Sequence, residues 1–132
     1  MASDRTELLE LKYRYCYATD NADVEALLDV FTENGYFDIG IYGTGSGHDD
    51  LREYMEWFAE NKPGIRAHNV VNPIIDIDGD RATGKWYYFV LYETPDGQLE
   101  MGHGYYDDEY RRVDGTWKTS SLVAKRRASW SL

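Results

Sequence analysis

The chain has a single cysteine and no long apolar run. One cysteine, Cys16, excludes an internal disulfide and fits a reducing compartment. Because Cys16 falls at helical spacing among apolar residues, we interpret it as a core residue rather than a nucleophile. No segment approaches the length of a transmembrane helix, and the N-terminus carries no apolar run followed by a small-residue cleavage site. We therefore expect a cytoplasmic protein.

Basic residues are scarce, since 24 acidic residues face 14 basic ones and the formal net charge is -10. This surplus of negative charge repels polyphosphates and argues against nucleic acid or an anionic membrane as partner. We interpret the one basic cluster, Lys125-Arg126-Arg127, as a solvated strand end rather than a phosphate site.

A metal site is also disfavoured. The three histidines and one cysteine form no cluster with ligand spacing. The consecutive acids Asp107, Asp108 and Glu109 would point to alternate faces of a strand and could not converge on one ion.

Aromatic residues are plentiful, with 12 Tyr and 4 Trp in 132 residues. Such side chains can line a cavity and still offer a polar edge. The length suits one domain that buries roughly two-thirds of the surface of its unfolded chain. We expect residues 1–132 to form that single domain.

The first half of the sequence predicts helices. Apolar positions at helical spacing predict a first helix from about Ser3 to Thr19: Leu8, Leu11, Tyr15 and Thr19. Asp20-Asn21 interrupts it, and a second short helix carries Val24, Leu27, Leu28 and Phe31. A short strand at 36–39 and a glycine-rich loop at 40–47 follow. A third helix begins near Asp49 and ends at Lys62-Pro63-Gly64.

The second half predicts four long strands, at 67–77, 81–93, 98–112 and 116–127. The breaks between them are hairpin signals: Asp78-Gly79, Pro95-Asp96-Gly97 and Asp114-Gly115. Helices followed by an antiparallel meander give an α+β fold. Its curved antiparallel sheet must wrap around the N-terminal helices to bury its inner face, which gives a cone-shaped domain with an internal pocket.

A period of two assigns the faces of the second long strand. Its even positions form an unbroken apolar and aromatic row, which we take as the inner face: Ala82, Gly84, Trp86, Tyr88, Val90 and Tyr92. The odd positions Tyr87, Phe89 and Leu91 are apolar as well. A sheet that is apolar on both faces usually has a second covering, so we expect a homodimer through the outer face.

Asp20 and His68 are the residues best placed for chemistry. His68 begins a long strand ahead of an apolar run, and Asp20 lies at the break between two helices. Spacing alone leaves two interpretations: an acid-base pair, or a helix-capping Asp20 beside a core histidine. His48 precedes an acidic helix start and is interpreted as a surface cap. The period does not decide the face of His103.

Several motifs together carry a family resemblance: Tyr15-x-x-x-x-Asp20, Phe31-Thr32-Glu33-Asn34-Gly35-Tyr36-Phe37-Asp38, Ala67-His68-Asn69, Gly84-Lys85-Trp86-Tyr87 and Tyr110-x-x-x-Asp114-Gly115-x-Trp117-Lys118. They resemble the SnoaL-like branch of the nuclear-transport-factor-two-like superfamily, over about residues 7–124. Within the branch, the pattern is similar to scytalone dehydratase, bile acid 7-alpha-dehydratase and hexachlorocyclohexane dehydrochlorinase.

The resemblance implies metal-free elimination by an Asp-His pair that falls on Asp20 and His68. Tyr15 matches a tyrosine of the bile acid enzyme, and His103 falls on the outer face. Two positions depart from the pattern. Val90 stands where the bile acid enzyme has an aspartate, and Tyr92 stands where scytalone dehydratase has a second histidine. The acid that would protonate a leaving group is therefore unassigned.

The expected mechanism has His68 as general base, with Asp20 fixing its tautomer. Tyr15 would donate a hydrogen bond to developing negative charge, with Tyr88, Tyr92 or Tyr106 beside it. Flat apolar walls, assigned to Phe37, Trp86 and Trp130, suit a small hydrophobic ring such as a steroid or polyketide, and no cofactor is required. Two alternatives stay open: ketosteroid-type isomerisation with Asp20 as base, and a non-catalytic, dimeric binding module.

Overall fold

The computed structural model describes residues 2–132, which contain three α-helices and one six-stranded sheet. The elements in chain order are α1 (Asp4–Asp20), α2 (Val24–Asp29), β1 (Phe31–Asp38), β2 (Thr44–Ser46), α3 (Gly47–Asn61), β3 (Arg66–Asp78), β4 (Arg81–Glu93), β5 (Leu99–Val113) and β6 (Thr116–Ser131). None of these helices combines the length and the apolar character needed to cross a membrane.

Capping side chains set the starts of α1 and α2. Ser3 Oγ accepts the backbone N–H of Thr6 at 3.1 Å and starts α1. Asp23 Oδ1 accepts the N–H of Ala26 at 3.1 Å and starts α2. The interpretation of Asp20 as the cap of α2 is therefore wrong. Phe31 was expected in this helix, but it begins β1, where it pairs with Thr119.

The sheet order is β2-β1-β6-β5-β4-β3. The meander from β3 to β6 is antiparallel, as predicted. β1, in contrast, pairs with β6 in parallel. After β1 and β2, the chain crosses through α3 to β3 at the opposite edge of the sheet, where the meander begins. The segment 40–47, expected to be only a loop, contains a 3-10 turn at Gly40–Tyr42 and the short strand β2 on the edge of β1.

The inner face of the sheet carries most of the core, and the predicted alternation in β4 is confirmed: Ala82, Gly84, Trp86, Tyr88 and Val90 are buried. Two glycines let tyrosines lie flat on this face. A Cβ at Gly84 would approach the Tyr110 ring to 2.8 Å, and one at Gly104 would approach Tyr88 Oη to 2.8 Å.

A bulge in β6 changes which side chains face inward. His103 pairs with Ala128, but Gly104 pairs with Arg126, so Arg127 is an extra residue. A one-residue insertion reverses the alternation, and the residues beyond it turn to the other face. Trp130 consequently lies on the outer face and is 49% exposed. Its expected role as a pocket wall is wrong.

Candidate active site

The end of α1 and the start of β3 bring Asp20 and His68 together. His68 Nδ1 lies 2.6 Å from Asp20 Oδ1, and the backbone N–H of His68 donates to both carboxylate oxygens at 3.0 and 3.1 Å. A carboxylate only accepts hydrogen bonds, so the neutral ring carries its proton on Nδ1. Nε2 then has a free lone pair, and it makes no hydrogen bond within residues 2–132.

The pair lies in a wall between two cavities. His68 borders the larger one, of about 680 Å³, and a second crevice of about 510 Å³. Asp20 borders only the second crevice. Both side chains are about one-sixth exposed, at 16% for His68 and 17% for Asp20. The imidazole of His68 can therefore contact a ligand in the larger cavity while the carboxylate of Asp20 binds the opposite side of the imidazole.

Most of the expected pocket residues line the larger cavity: Tyr15, Tyr88, Val90, Tyr92 and Tyr106. Phe37 and Trp86 do not. Phe37 is 1% exposed and packs 5.5 Å from the ring of Tyr54, which does line the cavity. Trp86 is 2% exposed, and its Nε1 donates to Tyr110 Oη at 3.0 Å. A period of two in the sequence identifies which residues face inward. It does not show which of these residues line the cavity and which are packed in the core.

Tyr15 and Tyr106 form the floor of the cavity. Their rings meet edge to face with centroids 5.7 Å apart, and each is at most 4% exposed. Burial raises the pKa of both phenols well above the ordinary value. Both therefore stay protonated through neutral and alkaline pH and remain hydrogen-bond donors, which suits contact with an oxygen that gains negative charge.

A buried ion pair lies beneath this floor. Lys12 Nζ is 2.8 Å from Asp108 Oδ2, with side chains 2% and 0% exposed. The ammonium also lies 3.5 Å from the centroid of Tyr106 and 4.5 Å from that of Tyr15. Burial raises the pKa of Asp108, an effect opposed by Lys12 and by the hydroxyl of Tyr110, which donates to it at 2.7 Å.

This pair was not predicted, although the sequence carries signals for it. Lys12 is four residues after Leu8 in the buried stripe of α1, and Asp108 shares the inward alternation of Tyr106 in β5. Asp107 and Glu109 are exposed while Asp108 is buried, so the predicted division of these acids between faces is confirmed.

Two arginines at the cavity were also missed. Arg66 donates to the backbone oxygens of Thr19, at 3.3 Å, and Lys62, and its guanidinium lies 4.3 Å from the Phe58 ring centroid. Arg126 was expected to be a solvated strand end. It is exposed, but it also lines the cavity, because it precedes the bulge and keeps the inward alternation of β6.

Arg126 joins a short hydrogen-bond chain. Its Nη1 donates to Tyr92 Oη at 3.2 Å, and Tyr92 Oη donates to Glu100 Oε1 at 2.7 Å. Tyr92, which departs from the second histidine of scytalone dehydratase at this position, thus contacts a charged group on each side.

The other candidate residues lie apart from the cavity. His48 is half-buried, with Nε2 3.2 Å from the carbonyl oxygen of Phe31, so its interpretation as a surface cap is wrong. The loop folds back as β2, which brings α3 against β1. His103 lies on the outer face, stacked 4.6 Å from Phe89. Cys16 is buried in the core, and burial raises the pKa of its thiol to about 11.

Comparisons with known proteins agree with this fold. Residues 1–123 match the SnoaL-like domain. A predicted aromatic ring hydroxylase from Novosphingobium aromaticivorans is 29% identical, with a TM-score of 0.87 over 98% of this chain and 93% of that one. No curated protein sequence matches the chain.

Two further solved structures share the fold at lower identity. Hexachlorocyclohexane dehydrochlorinase LinA type 2 is 19% identical, with a TM-score of 0.89 over 97% of this chain and 88% of that one. A predicted scytalone dehydratase from N. aromaticivorans is 18% identical, with a TM-score of 0.87 over 98% and 87% of the two chains.

Proposed function

Because the chain belongs to the SnoaL-like family, whose fold hosts elimination enzymes, we propose that it is a lyase that removes a small leaving group from a hydrophobic cyclic substrate. The observation that carries the proposal is the 2.6 Å contact between Asp20 Oδ1 and His68 Nδ1. This contact leaves His68 Nε2 as a base in the wall of a cavity of about 680 Å³, a volume typical of small-molecule sites.

In the proposed reaction, His68 Nε2 takes a proton from a ring carbon next to a carbonyl or similar activating group. The electrons of that C–H bond form a carbon-carbon double bond, and the leaving group departs from the neighbouring carbon with its bonding pair. The ring of His68 becomes an imidazolium, which the carboxylate of Asp20 stabilises. The proton then passes to the departing group or to water and restores the base.

Tyr15 and Tyr106 have a separate task in this proposal. As the proton leaves, negative charge develops on the oxygen of the activating carbonyl. A buried phenol that stays protonated can donate a hydrogen bond to that oxygen and lower the barrier. The raised pKa of both phenols supports this task. The chemistry needs neither a metal nor an organic cofactor.

The geometry favours His68 over Asp20 as the base. The Asp20 carboxylate already accepts three hydrogen bonds from His68 and does not border the larger cavity. An isomerase that uses Asp20 directly would need that carboxylate to reach the substrate. Isomerisation with His68 as the base would begin with the same proton abstraction, and the product distinguishes it from elimination.

The test is a screen of hydroxylated and unsaturated ketosteroids by mass spectrometry and absorbance. Loss of water supports elimination, whereas unchanged mass with shifted absorbance supports isomerisation. His68→Ala should abolish either reaction, and His103→Ala, on the outer face, should leave it intact. Equal rates in wild type and His68→Ala would contradict the proposal. Binding without turnover of any compound would favour a binding module instead.

A further inference from the structure

The larger cavity is bordered by more basic than acidic residues, although the protein as a whole is acidic. Four basic residues border it, against three acidic ones: Lys62, Arg66, Lys125 and Arg126, against Asp38, Glu93 and Glu100. The chain as a whole has 24 acidic and 14 basic residues. None of the four cations belongs to an ion pair within residues 2–132, whereas Arg52 and Arg112 both pair with carboxylates.

The carboxylates at the cavity have other partners. Asp38 Oδ1 accepts the N–H of Gly40 at 3.0 Å and the hydroxyl of Thr44 at 3.2 Å. Glu93 accepts the N–H of Ile65 at 3.4 Å, and Glu100 accepts the hydroxyl of Tyr92. These three carboxylates form local hydrogen bonds with the protein and do not bind the guanidinium groups directly.

Arg126 has the donors that an anionic ligand needs. A guanidinium has five N–H donors. Arg126 uses one of them on Tyr92 Oη, and the phenol of Tyr88 also lies near its guanidinium. A Cβ at Gly102 would lie only 3.1 Å from Arg126 Nη2, so the absence of a side chain at this glycine allows the guanidinium to lie against β5. A planar guanidinium with free donors on one edge matches a carboxylate in bidentate geometry.

The sheet register places this guanidinium at a useful distance from the base. His68 pairs with Val90, and Val90 pairs with Gly102, on which Arg126 lies. Two inter-strand spacings of about 4.8 Å separate His68 from Gly102, or roughly 10 Å. Val90, Tyr88 and Tyr106 line the cavity alongside this span. One or two rings fit between a reacting C–H group at His68 and a carboxylate at Arg126.

We propose that the ligand of this cavity is a cyclic carboxylic acid, whose carboxylate binds Arg126 while its ring lies against Val90 and reaches His68. Arg66, on the strand beside Tyr92, adds positive charge to the same cavity. The inference rests on the proposed function for the role of His68. It narrows the substrate class from hydrophobic rings in general to ring compounds that carry an acid group.

The test is calorimetric binding of 2-naphthoate and of the neutral, near-isosteric 2-naphthamide. Wild type should bind the acid at least about tenfold more tightly than the amide, since a charge-assisted pair is lost with the amide. Arg126→Gln should remove that preference and leave amide binding within about threefold. Arg127→Gln is the matched control, because Arg127 is exposed at the bulge and lies 5.8 Å from the outer-face ring of Tyr87.

Equal binding of acid and amide by wild type, no binding of the acid, or an unchanged preference in a folded Arg126→Gln protein would overturn the inference. Binding needs no turnover, so the two proposals can fail separately. If the His68→Ala protein still prefers the acid and no compound in the screen is turned over by wild type, the proposed function is refuted and this inference stands. Turnover of neutral ketosteroids without an acid preference would remove this inference alone.

Discussion

Replacing Asp20 by Asn tests how the carboxylate controls His68. The carboxylate accepts two hydrogen bonds from the backbone N–H and one from the ring of His68, at 2.6 to 3.1 Å. Asn has the same shape but only one accepting oxygen. If its amide nitrogen faces the ring, Nδ1 must accept and the proton moves to Nε2. If it faces the backbone, two donors oppose each other.

The size of the effect follows from this geometry. A ring with its proton on Nε2 presents a donor to the cavity and cannot act as the base, and the imidazolium loses its counter-charge. We expect turnover to fall about 10²- to 10⁴-fold. The lost charge-assisted hydrogen bonds at a site only about one-sixth exposed should lower the free energy of unfolding by about 2 kcal/mol.

The assay combines ¹⁵N NMR of the His68 ring with turnover of a ketosteroid found in the screen. Wild type should give the Nδ1–H tautomer, and Asp20→Asn should give the Nε2–H tautomer with little turnover. Asp23→Asn is the control, because Asp23 caps α2 and Asn caps a helix equally well. A folded Asp20→Asn protein with the wild-type tautomer and rate would refute the reasoning.

Three further predictions follow from the packing. Lys12→Met should lower the free energy of unfolding by about 3–5 kcal/mol at pH 8 and by less at pH 5. Urea titrations at the two pH values measure the difference. The pKa of Asp108, already raised by burial, rises further without Lys12. Folding then favours the protonated carboxyl, so stability falls as pH rises from about 4 toward that pKa; an equal loss at both pH values would contradict this.

Tyr15→Phe should reduce turnover about 10²-fold. The reduction should be equal at pH 7 and pH 9, because burial keeps the pKa of Tyr15 well above 10. A reduction at only one of these pH values would exclude the donor role. Phe89→Glu, at a position 39% exposed on the outer face, should convert the expected homodimer into a monomer in light scattering. An unchanged mass would remove the outer face as the interface.

The sequence predicts the elements that depend on local patterns. The hairpin turns and the alternation in β4 identify the antiparallel meander and its inner face, and the helical spacing identifies α1. The parallel pairing of β1 with β6 is not local, because it joins residues more than 80 positions apart. No turn signal marks that pairing, and it was missed.

The candidate site was predictable only in part. Asp20 and His68 are brought together over 48 positions of sequence, and it was the family resemblance rather than spacing that made them a pair. The bulge at Arg127 has no clear sequence mark, yet it turns Trp130 outward while Arg126 stays at the cavity. Lys12 follows the buried period of α1, but a lysine is seldom buried without a partner, and Asp108 lies on a distant strand.

Proton abstraction by His68 is the central claim, and deuterium exchange measures it most directly. A cyclic ketone that binds the cavity is incubated with the protein in D₂O, and incorporation at the carbon next to the carbonyl is followed by mass spectrometry. Wild type and His103→Ala should both exchange that hydrogen, and His68→Ala should reduce the rate to that of buffer. Exchange by His68→Ala at the wild-type rate would contradict the account.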